Sequence, residues 1–120
     1  MALPANSFKS ARIHVTDVWG YGYAVPTGKK SLVLEVDVCN TVSPQAPIQL
    51  SIGVCESNVT LTPSYILVNE TVIPGGTTVS VILGQKIVLE ESGIYTKLVF
   101  KTSVAGQTAD AFISVMEDVQ

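Results

Sequence analysis

The stretch SLVLEVDVCN, residues 31–40, alternates large apolar and polar side chains, and PIQLSIGV, residues 47–54, repeats the device. A period of two puts successive side chains on opposite faces of an extended backbone, so such a run buries one face only as a strand. In the first run Leu32, Leu34, Val36 and Val38 are expected inside, with Ser31, Glu35 and Asp37 opposite in the company of Val33. In the second, Ile48, Leu50, Ile52 and Val54 are expected inside, against Gln49, Ser51 and Gly53. The period recurs in ARIHVTDVW, YGYAV, TTVSVIL, KIVLE, YTKLVF and ADAFISVME, and no segment carries a sustained helical period with caps. VTLTPSYILV holds Pro63 near its middle; a proline cannot donate to a ladder, so this run reads as an edge strand or as two pieces with a kink. Eight or nine short strands with turn residues between them predict an all-β fold. The form expected is a single β-sandwich of about eight strands, jelly-roll-like, with no significant helix.

A chain of 120 residues is one domain by size and long enough for a core without metal or disulfide staples. Residues 10–120 are assigned to the sandwich and residues 1–9 to an N-terminal arm. MALPANSFKS has too few apolar residues to fold onto its own core as an element, so Leu3, Pro4 and Phe8 are read as contacts made to a neighbouring subunit.

Charge narrows the function. Apolar residues make up 47% of the chain and charged residues 14%, against about a quarter in ordinary domains. The net charge of −3 and the single adjacent basic pair, Lys29-Lys30, argue against nucleic-acid binding. No run of about 18 apolar residues is present to cross a membrane as a helix, and the N-terminus lacks the basic start and apolar run of a signal peptide. The sequons at Asn58 and Asn69 are therefore read as accidental. A surface rich in Thr, Ser, Val, Asn and Gln suits a chain that lies against neighbours.

No catalytic set is expected. Cys39 and Cys55 each end an alternating run, and a reactive thiol needs a basic or imidazole neighbour that the sequence does not supply. His14 is the only histidine and is expected to be exposed; with two separated cysteines it makes no zinc set and no Ser-His-acid order. Glu35 and Asp37 lie two apart on one strand face and could form an acid pair, but alternation demands a polar face there in any case. Neither a cofactor nor a metal is implied.

The turns form an echo. VPTGKKSLVLEV at 25–36 and IPGGTTVSVILG at 73–84 share an apolar residue, Pro, a small residue, Gly, two polar residues and a β run. Pro26 and Pro74 are expected at the first central position of each turn, with Gly28 and Gly75 or Gly76 supplying the freedom needed next. A phosphate loop leads from strand to helix; these lead into strands, and PGGTT has no lysine, so nucleotide binding is excluded.

Several of these motifs recur in fixed order: the VPTGKK turn, a strand ending at Cys39-Asn40, SYILVNETVIPGGTT, GQKIVLEESG, and a last strand closing on SVMED. In that order and spacing, from Tyr23 to Glu117, the chain resembles a group of small all-β virion proteins of tailed bacteriophages. One departure stands out. Where the group has Gly-Asp after Leu-Glu, this chain reads Glu91-Ser92-Gly93-Ile94-Tyr95, a rebuilt turn. The resemblance implies a structural part of the virion, at the capsid surface as decoration or cement, at the head-tail neck, or along the tail. It implies contacts with major capsid, neck or tail subunits and with copies of itself.

The alternative is a carbohydrate-binding sandwich. Trp19, Tyr21 and Tyr23 are spaced by Gly20 and Gly22, and alternation would put all three rings on one side of an extended segment. Such a row can stack on sugar rings, anchor a protein interface, or cap the core.

Overall fold

The computed structural model describes residues 7–26, 28–55, 61–90 and 96–118. Leu3 and Pro4, the sequon that starts at Asn58, and the rebuilt turn at 91–95 lie outside the described residues. Within them the chain is all-β, with eight strands and no helix. They are β1 (Ser7–Val15), β2 (Gly20–Ala24), β3 (Lys30–Asn40), β4 (Ile48–Cys55), β5 (Tyr65–Ile73), β6 (Thr78–Glu90), β7 (Lys97–Thr102) and β8 (Ala109–Asp118).

Two four-stranded antiparallel sheets result, a front sheet in the order β1-β8-β3-β6 and a back sheet in the order β2-β7-β4-β5. Only β4 and β5 are successive strands in one sheet; every other link crosses from sheet to sheet. That wiring is the eight-strand jelly roll anticipated from the turn spacing. β1 runs beside β2 along one seam of the sandwich, and β5 beside β6 along the other. Between the sheets lie Val33, Val36, Val38, Ile113 and Val115 from the front and Ile48, Leu50, Ile52, Leu98 and Phe100 from the back, all fully buried.

Period-2 arithmetic succeeds along β4 and fails along β3. A bulge between Val33 and Glu35 displaces Leu34 and inverts the strand's faces on its N-terminal side. Ser31 and Val33 therefore turn inward, while Leu32 and Leu34 are only partly buried, the reverse of the expected assignment. The boundary of the arm also differs. β1 begins at Ser7, with Ser7, Phe8 and Lys9 paired to Glu117, Met116 and Val115, so these three residues are strand and not arm. Phe8 and Lys9 pair with the sheet without adding to its core, and Phe8 is 76% exposed.

Pro63 lies just before β5, which starts at Tyr65 as the edge strand of the back sheet. It packs over Gly53, where a Cβ would fall 2.5 Å from the proline Cβ, and the strap helps bury the outer side of β4. Both glycine turns form, with Gly28 at φ +75° and Gly76 at φ +68°. The prolines sit one position earlier than expected. Lys29 N donates to Pro26 O at 3.1 Å and Thr77 Oγ1 to Pro74 O at 2.7 Å, which makes each proline the first corner residue.

Candidate functional site

The three aromatics of the proposed row part company. Gly20 pairs with Phe100 and Tyr21 with Val99, but Tyr23 pairs with Leu98, so Gly22 is the extra residue of a bulge. A side chain at 22 would collide with the core, since its Cβ would lie 2.5 Å from Ile113 Cδ1 and 2.7 Å from Phe100 Cε1. The bulge turns Tyr23 inward, to 7% exposure, while Tyr21 stays 53% exposed. The expectation that all three rings share one side is thus corrected, and Tyr23 is a core residue without access to glycan or partner.

Tyr23 instead closes a buried polar junction between the sheets. Its hydroxyl donates to Glu117 Oε2 on β8 at 2.6 Å and lies 2.6 Å from Ser31 Oγ on β3. Burial, then the hydrogen bond to Glu117, pushes the phenol far above its usual 10.0, so it remains a neutral donor throughout the physiological range. Asn40 makes the corresponding junction at the other end of β3. Its Nδ2 donates to Ala46 O (2.7 Å) and Ile73 O (3.0 Å), and its Oδ1 accepts from Val42 N (3.0 Å). Both junctions hold the fold, being fully satisfied and closed to substrate.

Trp19 and Tyr21 remain at the surface with two residues that the sequence did not bring forward. The Lys97 ammonium lies 5.4 Å from the Tyr21 ring centroid, and that of Lys101 lies 5.8 Å from Trp19. The result is a patch of alternating ring and cation on the outer face of β2 and β7. Only the register of β2 on β7, across more than seventy residues of chain, joins these four side chains.

The outer face of the front sheet is organised in rows. One row reads His14, Asp110, Cys39 and Thr78 across β1, β8, β3 and β6; the next reads Arg12, Phe112, Asp37 and Ser80. His14 is exposed, as expected, and its Nδ1 is 2.7 Å from Asp110 Oδ1. Ser80 Oγ donates to Asp37 Oδ1 at 2.6 Å. Glu35 shares a hydrogen bond with Asp37, and that bond, followed by the like charge, holds the Glu35 carboxyl above its ordinary value. A shallow depression of about 510 Å³ lies over these rows, edged by Arg12, His14, Asp37, Cys39, Asp110 and Phe112. Farther along the same face, the row Phe8, Met116, Leu32 and Val88 is apolar. It reaches a second depression of about 310 Å³ at the β5–β6 seam, lined by Val54, Tyr65, Ile66, Leu67, Ile87 and Val88.

Cys39 and Cys55 lie on opposite sheets and neither is in a disulfide. Among the described residues no group of three or more His, Cys, Asp or Glu side chains is placed to hold a metal ion.

No protein family and no curated protein matches this chain. Among the solved structures similar to it are two from assembled particles and fibres. One is a chain from Bacillus endospore appendages, described as forming a novel family of disulfide-linked pili, with 11% identity and a TM-score of 0.51 over 98% of this chain and 91% of that one. The other belongs to the capsid asymmetric unit of cyanophage Pam1, with 13% identity and a TM-score of 0.46 over 98% of this chain and 86% of that one. At such identities what the first likeness shows is the fold.

Proposed function

We propose that the protein is a structural subunit of a tailed-phage virion, an accessory part of the capsid surface, neck or tail that acts through protein–protein contacts and has no catalytic role. The observation that carries this reading is the ordered set of motifs from Tyr23 to Glu117 that resembles small all-β virion proteins. The geometry gives those motifs a purpose beyond alternation. Three of the residues they contain, Tyr23, Asn40 and Glu117, are the buried junctions that tie one sheet to the other. The surface agrees in kind. Phe8, Tyr65, Ile66, Leu67 and Val88 are large apolar side chains left in solvent, and four edge strands flank the two seams. Such a surface suits burial against neighbouring subunits.

A sugar-binding module is the second reading, favoured by the exposed ring of Tyr21 beside a half-buried Trp19. Without Tyr23 the platform is two rings wide, and an ammonium lies against each of them.

The two readings separate on one preparation. Purified particles should contain the chain in a copy number fixed by their symmetry, and imaging should place it on the shell, neck or tail. Removing residues 1–6, which leaves β1 whole, should lower incorporation without loss of the β-rich circular dichroism spectrum. Absence from particles, together with glycan binding that Trp19→Ala abolishes, would establish the sugar-binding reading in its place.

A further inference from the structure

The two outer faces of the sandwich carry opposite charge. On the back sheet Lys97 and Lys101 project from the same side of β7, four residues and about 13 Å apart along the strand. Neither has a carboxylate partner among the described residues, and each lies against an aromatic ring that is itself partly in solvent. On the front sheet Glu35 and Asp37 project from the middle of β3, and no cation pairs with either among the described residues. The two carboxyls lie close together, and a hydrogen bond to Asp37, followed by its negative charge, raises Glu35 above its ordinary value. Four residues along from Glu35, the row through Cys39 holds a third carboxylate, Asp110. The carboxylates of the front face therefore span about the length that separates the two lysines of the back face. Beside them the depression of about 510 Å³ is lined by exposed Phe112, with Arg12 of β1 also in its lining. A patch of rings and ammonium groups thus has a counterpart on the same molecule, a shallow concavity lined by carboxylates and a ring.

We infer that the protein associates head to tail with a second copy, the Trp19–Tyr21–Lys97–Lys101 patch of one chain seating on the Glu35–Asp37–Phe112 face of the next. Charge complementarity selects this occupant. The chain is acidic overall, and its own opposite face matches the lysine patch in sign, spacing and ring content. The contact is heterologous, since the two patches differ, so each added copy leaves a free face of each kind. It propagates into a ring where the rotation per copy closes and into a stack where it does not. This deepens the assembly reading above by naming the self-contact, and it rests on that reading only for its place in a particle.

The test exploits the difference between the faces. In Lys97→Glu/Lys101→Glu both faces are acidic, and in Glu35→Lys/Asp37→Lys both are basic. At low salt the unaltered chain should sediment as species larger than a dimer, in a concentration-dependent way, and added salt should dissolve them. Each variant alone should lose those species, and an equimolar mixture of the two should form a heterodimer, because the acidic front face of the first then meets the lysine patch of the second. Circular dichroism checks that both variants are folded. If either is not, the single changes Lys101→Glu and Asp37→Lys replace them, and loss alone with heterodimer formation on mixing is again the expected result. An unaltered chain that stays monomeric, or folded variants whose mixture stays monomeric, would overturn the proposal. So would association of either variant alone at the unaltered level. These readouts use the purified chain and no particle, so failure here leaves the virion reading standing, and absence from particles leaves the self-contact standing.

Discussion

The two seams of the sandwich are built in opposite ways. Beside the β1–β2 seam, the sheets are joined by Tyr23, Ser31 and Glu117, a polar junction with 6% exposure at Glu117 and every donor met. Along the β5–β6 seam, the residues that could close the sheets stay outside, with Tyr65 at 61% exposure and Ile66, Leu67 and Val88 also in solvent. The first seam uses a costly buried carboxylate where an apolar pair would serve, which fixes the relative position of the sheets. The second leaves apolar area unburied, which lowers the stability of the isolated chain and leaves surface for a neighbour. One side of the molecule is thus closed by its own polar contacts and the other leaves apolar side chains in solvent, and each can be altered separately.

The largest effect is expected at the closed seam. Tyr23→Phe removes the phenol that serves Glu117 and leaves a buried carboxylate short of its donor, at a cost of about 3 kcal/mol. A fall in the urea midpoint with unchanged slope would show it. The pH dependence has a definite sign. The folded phenol titrates above its ordinary value of 10.0, so its contribution is complete below that pH. Above it the unfolded chain releases the proton and the folded chain keeps it, so stability falls as pH rises. Tyr23→Phe should lack that alkaline component, and an identical alkaline decline in both proteins would disprove the linkage.

Gly22→Ala sharpens the same seam at about 2 kcal/mol, because the new Cβ must displace Ile113 or Phe100 within a filled core. Thermal unfolding should show the loss. If Tyr21 fluorescence anisotropy also changed, the bulge itself would have moved.

The bulges decide how far the sequence could be read. Alternation identified the strands, because Ile48, Leu50, Ile52 and Val54 do line the core as their spacing requires. It could not reveal the extra residue at Leu34 or at Gly22, since a bulge is set by pairing with a distant strand. Each shift reversed the faces assigned on one side of it, sending Val33 and Tyr23 inward. The same limit hid the lysine patch: Lys97 and Lys101 look like ordinary strand polar residues until β7 is laid beside β2. By contrast, the glycine turns are local, and their φ > 0 positions were legible from residue type alone, although the corner taken by each proline was not.

The open seam should answer in the other way, with the smallest change in stability and a larger one in assembly. Ile66→Thr and Val88→Thr keep β-branched side chains on edge strands whose outer positions already face solvent. Little buried area is lost, so each is expected to shift unfolding by no more than about 0.5 kcal/mol. The two residues line one apolar depression between neighbouring edges, so the double variant should act on a single surface. Incorporation into particles, measured against the unaltered chain in the same lysate, is expected to drop while the urea midpoint stays in place. A drop in both would make this seam part of the folded core after all. An unchanged incorporation would show that neighbours leave this depression uncovered, and the contrast between the two seams would then describe stability alone.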